Sequence, residues 1–89
     1  GFRGEEPSYH THQIDYQTGD VFYVYTDGYP DQFGGEKNKK YMTRRFRDLL
    51  QSIHTLESEK QKEKLQEELD EWKGPRDQVD DILVIGFRL

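Results

Sequence analysis

Residues 82–89 constrain this chain most. They read Ile-Leu-Val-Ile-Gly-Phe-Arg-Leu, a nearly unbroken apolar run, which is the pattern of a strand that wants cover on both faces. The rest of the chain offers cover for one face only. Phe46, Leu49, Leu50 and Ile53 fall at i, i+3, i+4 and i+7, which predicts a helix with a single apolar stripe over about 43–54, with Thr43 as its N-cap. Ser58, with Gln61 three residues on, has the form of a capping box. Leu65, Leu69 and Trp72 make a second stripe and Gly74-Pro75 supplies a stop, so a second helix is expected over about 58–73. Two antiparallel helices with narrow apolar faces must lie on a sheet.

The other strands of that sheet come early. From Tyr9 to Gln17 the pattern alternates, with His10, His12, Ile14 and Tyr16 on one face and Thr11, Gln13 and Asp15 on the other. Thr18-Gly19-Asp20 makes a turn, and Val21 to Thr26 is a continuous β-branched and aromatic run that stops at Asp27-Gly28. The expected fold class is α+β: an antiparallel sheet of about three strands (about 9–17, 21–26 and 82–89) packed against a two-helix hairpin. The helical layer covers one side, so the last strand implies further strands or a second sheet that the chain does not contain. Tyr29 to Lys40, with Pro30, Gly34 and Gly35 among polar residues, reads as a loop crossing the surface.

Composition points the same way. A chain of 89 residues buries only about 60 to 65% of its unfolded surface. Here the apolar fraction is 31%, there is no alanine, and 35% of residues are charged, which describes a domain short of core. Gly1 is not an initiator methionine and Gly1 to Ser8 has the character of loop, so residues 1–89 are expected to be the C-terminal fragment of a single larger domain. The absence of cysteine excludes thiolate catalysis, disulfide bracing and cysteine-based metal sites. No run of 18 apolar residues and no signal-like start is present, so a soluble, cytoplasmic piece is expected, from a parent that is free to be membrane-attached. A net charge of -5 argues against nucleic acid as a partner. The basic cluster Lys37, Lys39, Lys40, Arg44, Arg45 and Arg47 is the local exception. It could gather a phosphorylated substrate, or it could flank a loop and the solvent side of a helix, the commoner fate of such charges.

Two acidic positions stand where chemistry could happen. Asp27-Gly28 sits where a strand ends, and Asp80-Asp81 sits immediately before another begins. If those strands are neighbours, Asp27 and Asp80 meet, and converging carboxylates repel unless a cation lies between them. Hard divalent ions such as Mg²⁺ or Mn²⁺ prefer that all-oxygen setting. The plainer alternative is a turn at Asp-Gly and a strand-punctuating pair at Asp80-Asp81, and on spacing alone it is the commoner one. His10 and His12, two apart on a strand, share a face but have no third ligand nearby, so they read as surface strand positions. His54 reads as a complement to the first helix's C-terminus, Gly34-Gly35 as a flexible turn, and Phe46 and Trp72 as core.

Four pieces together resemble a family. Tyr25-Thr-Asp-Gly28, Asp31-Gln-Phe-Gly-Gly35, Trp72-Lys-Gly74 and Gln78-Val-Asp-Asp-Ile-Leu-Val-Ile-Gly86 look like the last third of the SpoIIE-like phosphatase domain, a branch of the type 2C metal-dependent serine/threonine phosphatases. The resemblance runs from about Gln13 to the end. It implies part of an antiparallel β-sandwich flanked by helices, which would account for the unmatched apolar strands. It also implies a Mn²⁺ or Mg²⁺ centre to which Asp27 and Asp80 each give a carboxylate, with hydrolysis by a metal-activated water. Asp81 stands where relatives often have asparagine. The family's upstream acidic residue and first Asp-Gly motif have no counterpart here, so the isolated fragment is expected to be inactive.

What the resemblance implies for the parent is a role in bacterial signal transduction, including two-component signalling. Phosphoserine or phosphothreonine proteins would be its substrates, and sensor or regulatory domains would be attached to it. The alternative class is a non-enzymatic regulatory or protein-interaction module that uses the helical hairpin. Uncovered sheet surface would also favour self-association of the fragment.

Overall fold

The computed structural model describes residues 9–15, 19–78 and 81–88. Along the chain these form β1 (Tyr9–Ile14), β2 (Val21–Thr26), β3 (Phe33–Gly34), β4 (Lys39–Lys40), α1 (Thr43–Ile53), α2 (Ser58–Lys73) and β5 (Val84–Arg88). The fold is α+β. β1, β2 and β5 make one antiparallel sheet with β2 in the centre, and β3 and β4 make a small two-stranded one.

The continuous apolar run of β2 is split by its pleat. Val21, Tyr23 and Tyr25 point under the helices and are buried, while Phe22 and Val24 face the other way and are half-buried. Register puts His10, His12 and Ile14 opposite Tyr25, Tyr23 and Val21, so the expected β1 face is the helix-facing one. On the opposite face Phe22 stacks on Phe87 at 5.7 Å, and Ile85 and Phe87 are 49% and 46% exposed. The last strand therefore has an apolar side that nothing among the described residues covers.

Several expected boundaries move. The first strand ends at Ile14 and the last begins at Val84, where strands over about 9–17 and 82–89 were expected; Tyr16, Gln17, Thr18 and Leu89 lie outside the described residues. The first helix ends at Ile53, with His54 as its C-cap. Thr43 is the first residue of α1 and not its cap: the N-cap is Met42, at φ 84°, with no side-chain capping bond. Ser58 likewise lies inside α2 behind Glu57. Gln61 forms no capping box and instead reaches back, its Nε2 donating to the carbonyls of Leu56 (2.8 Å) and His54 (3.3 Å). The acceptor that a capping box would have used, Gln61 Oε1, is taken by the Tyr23 hydroxyl.

The core is largely aromatic. Rings run in contact from His10 to Tyr25 (5.5 Å), Phe46 (4.8 Å), Tyr29 (4.7 Å), Tyr41 (5.3 Å) and Trp72 (5.5 Å). This ladder corrects the expectation of a surface loop at Tyr29 to Lys40. Tyr29, Pro30, Gln32 and Gly34 are buried, because Tyr29 and the following Tyr41 turn inward to build the core with Phe46.

Hydroxyl groups fasten the second helix. Leu69 is its buried residue, with Leu65 and Trp72 packed at the margin of the core. Three phenols hold the same face at successive turns. Tyr23 donates to Gln61 Oε1 (2.7 Å), Tyr29 to the Leu65 carbonyl (2.8 Å) and Tyr41 to Glu68 Oε2 (2.8 Å).

Candidate metal centre

Where β2 leaves the sheet, the Thr26 hydroxyl takes over from the backbone ladder. The Thr26 amide donates to the Leu83 carbonyl, the Leu83 amide to Thr26 Oγ1, and Thr26 Oγ1 to the Asp81 carbonyl, each at 3.1 Å. Gly28 follows so closely on the Asp81 backbone that a Cβ would run into its carbonyl. The tail of the second strand and the approach to the last one thus lie side by side. That adjacency, inferred from sequence as a condition for two carboxylates to meet, is a property of the backbone here.

Asp27 emerges from this junction with its side chain 47% exposed. Its Oδ1 accepts a hydrogen bond from His10 Nε2 at 2.6 Å. Asp80, the other expected ligand, lies outside the described residues; its neighbour Asp81 is exposed. Among the described residues no group of three or more His, Cys, Asp or Glu side chains converges as a complete metal site. What the chain offers a hard cation is an outward carboxylate, open to solvent and already oriented, at the edge of a second acidic segment. That donor chemistry fits Mg²⁺ or Mn²⁺ as part of a larger ligand set.

His10 was read from sequence as a surface strand position, without its partner. Alternation along β1 puts it on the inward face but cannot report the diagonal neighbour just past the end of β2, which is Asp27. His12, two residues on, has its pKa lowered, first by burial and then by the Arg47 guanidinium.

The middle two motifs turn out to hold the junction together. Gln32 is fully buried, and its Nε2 donates to the carbonyls of Phe33 (3.0 Å) and Asp77 (2.9 Å). Trp72 Nε1 donates to the Gln32 carbonyl at 2.8 Å, the Gly35 amide to the Trp72 carbonyl at 3.0 Å, and Arg76 to the Gly35 carbonyl at 3.0 Å. Gly34 lies flat on the Trp72 backbone, and Gly35, at φ 73°, opens the β3–β4 turn against the Trp72 ring, so the turn expected here is also a packing surface. The lock joins the segment after Asp27 to the segment before Asp80 through the end of α2.

The basic cluster divides by task. Lys37, Lys39 and Lys40 are exposed on the β3–β4 hairpin, where Lys40 lies 3.7 Å from Asp31. Arg45 lies over the rings of Trp72 (4.4 Å) and Tyr41 (5.2 Å). His54 is buried at the end of α1, and its carbonyl accepts from Arg88 at 3.1 Å. A cleft of about 800 Å³ between α2 and β5, lined by Tyr23, Tyr29, Leu65, Ile82, Val84 and Arg88 among others, does not include Asp27. No helix among the described residues is long and apolar enough to cross a membrane.

The family described as Stage II sporulation protein E (SpoIIE) matches residues 1–89. Among solved structures, the SiaA-PP2C domain of Pseudomonas aeruginosa is similar with a TM-score of 0.75 and 37% sequence identity, over 79% of this chain and 29% of that one. The chain spans less than a third of the length of that solved chain. No curated protein matches.

Proposed function

This chain belongs to the SpoIIE family, and from that premise we propose that it contributes two metal-binding carboxylates, Asp27 and Asp80, to a metal-dependent serine/threonine phosphoprotein phosphatase. The observation that carries the proposal is the junction at Thr26, Gly28 and Asp81, which sets the end of β2 against the segment leading into β5. Asp27 and Asp80 would hold Mn²⁺ or Mg²⁺ with ligands from the remainder of the domain, and the exposed Asp81 is not needed as a ligand. When bound, such an ion supplies Lewis-acid charge and a water ionisable near neutral pH for attack on phosphorus. The chain's own part is to hold and orient: Thr26 and Gly28 fix the spacing, the Gln32–Trp72 lock braces both segments, and Lys37, Lys39 and Lys40 present positive charge to a phosphoprotein. The parent is a bacterial signalling protein of the cytoplasmic side with attached sensor or regulatory domains. The fragment alone is inactive.

Mn²⁺ titration of the complete domain by calorimetry, alongside hydrolysis of a phosphoserine peptide, tests this. Asp27→Ala and Asp80→Ala should each weaken Mn²⁺ binding at least about tenfold and lower turnover, because affinity follows the charge of the ligand set. Binding and hydrolysis indifferent to both substitutions would refute it. A second reading, a non-enzymatic regulatory or interaction module, is favoured by the bonds that tie the helical hairpin to both acidic segments. Under that reading both substitutions leave partner binding intact and there is no metal response to lose.

A further inference from the structure

We propose that His10 is a positioning residue for Asp27: it commits one carboxylate oxygen to the protein and so presents the other to the cation. The inference rests on the metal-centre reading above and extends it to a residue outside the family motifs. Four observations carry it. The Nε2 to Oδ1 distance is 2.6 Å, at the short end for a hydrogen bond to a carboxylate. A carboxylate oxygen only accepts, so the shared proton belongs to Nε2. The ring is not free to choose its pose: His10 is paired across the ladder with Tyr25, its ring lies 5.5 Å from the Tyr25 ring at 40°, and Tyr25 is 1% exposed and packed edge-on against Phe46 at 4.8 Å. The orientation of Asp27 is therefore transmitted from the core. Finally, the side chains of His10 and Asp27 are 42% and 47% exposed, which leaves the pair open to solvent.

Outer partners of this kind commonly change metal affinity 10- to 100-fold when removed. The test uses the complete domain carrying His10→Ala, His10→Gln or Asp27→Ala. Mn²⁺ affinity is measured by calorimetry, nitrogen coupling to bound Mn²⁺ by pulsed EPR, and the fold of each metal-free variant by circular dichroism. The expected result is a loss of about tenfold or more in Mn²⁺ affinity for His10→Ala. His10→Gln should recover most of it, because its side-chain amide N–H reaches the same place, and the wild type should show no directly coordinated nitrogen. Wild-type affinity in His10→Ala would overturn the proposal, as would an EPR signature of imidazole bonded to the ion. If His10→Ala fails to fold, His10→Phe, which keeps a ring against Tyr25 and removes the donor, decides: the same loss of about tenfold or more supports the proposal, and wild-type affinity overturns it. If Asp27→Ala also leaves Mn²⁺ binding unchanged, the metal-centre reading itself has failed, and the role of His10 with it.

Discussion

Replacing Gln32 by leucine keeps the volume but removes, from a fully buried side chain, the donor of two hydrogen bonds, to the Phe33 and Asp77 carbonyls. A hydrogen bond of this kind contributes about 0.5–1.5 kcal/mol. Gln32→Leu should therefore lower the urea midpoint by a clear margin, and should also weaken Mn²⁺ binding in the complete domain, since Asp77 lies three residues before Asp80. At this scale the sequence was legible where a motif spells the chemistry and silent where geometry does. Asp27 and Asp80 stand out, as proposed ligands, because they fall in motifs that carry the family resemblance. The parts played by His10 and Gln32 do not: one rests on a diagonal contact just past the end of β2, the other on a carbonyl 45 residues away.

The second helix shows what periodicity leaves out. Leu65, Leu69 and Trp72 marked its inner stripe correctly, yet only Leu69 is fully buried, and much of the fastening falls to Tyr23, Tyr29 and Tyr41. Tyr23 was expected in a strand and Tyr29 in a surface loop, and neither placement discloses the reach of a hydroxyl. All three phenols have raised pKa values, with burial the first cause. For Tyr29 the neighbouring Tyr41, Glu68 and Asp70 add to it; for Tyr41 the hydrogen bond to Glu68 does; for Tyr23 the nearby Arg88 opposes it. A group whose folded pKa lies above its unfolded value gives stability that is complete below the unfolded pKa, about 10 for tyrosine, and that drains away as pH rises beyond it. Alkaline titration should show tyrosinate absorbance from these residues appearing together with loss of the helical dichroism signal, above the pH at which free tyrosine ionises. Tyr29→Phe should cost about 1 kcal/mol, since it removes the hydrogen bond from the buried ring to the Leu65 carbonyl, which keeps only its bond within the helix.

For the whole molecule, the open side of the sheet sets solution behaviour. Phe22, Val24, Ile85 and Phe87 form an apolar face with no cover among the described residues. The 82–89 run made that shortage visible from sequence, because one helical layer cannot serve a strand that is apolar on both sides; which residues would face outward was fixed only by the register with β2. The isolated chain should elute from gel filtration as larger species as its concentration rises, and Phe87→Lys should shift it towards monomer. The antiparallel joint between β2 and β5 has another consequence, in time. Thr26 and Leu83 are 57 residues apart in the chain, so the joint cannot close until everything between them has been made and packed. A ribosome delivers Asp27 well before Asp80, so under the proposed function the nascent polypeptide carries an unfinished ion trap throughout that interval.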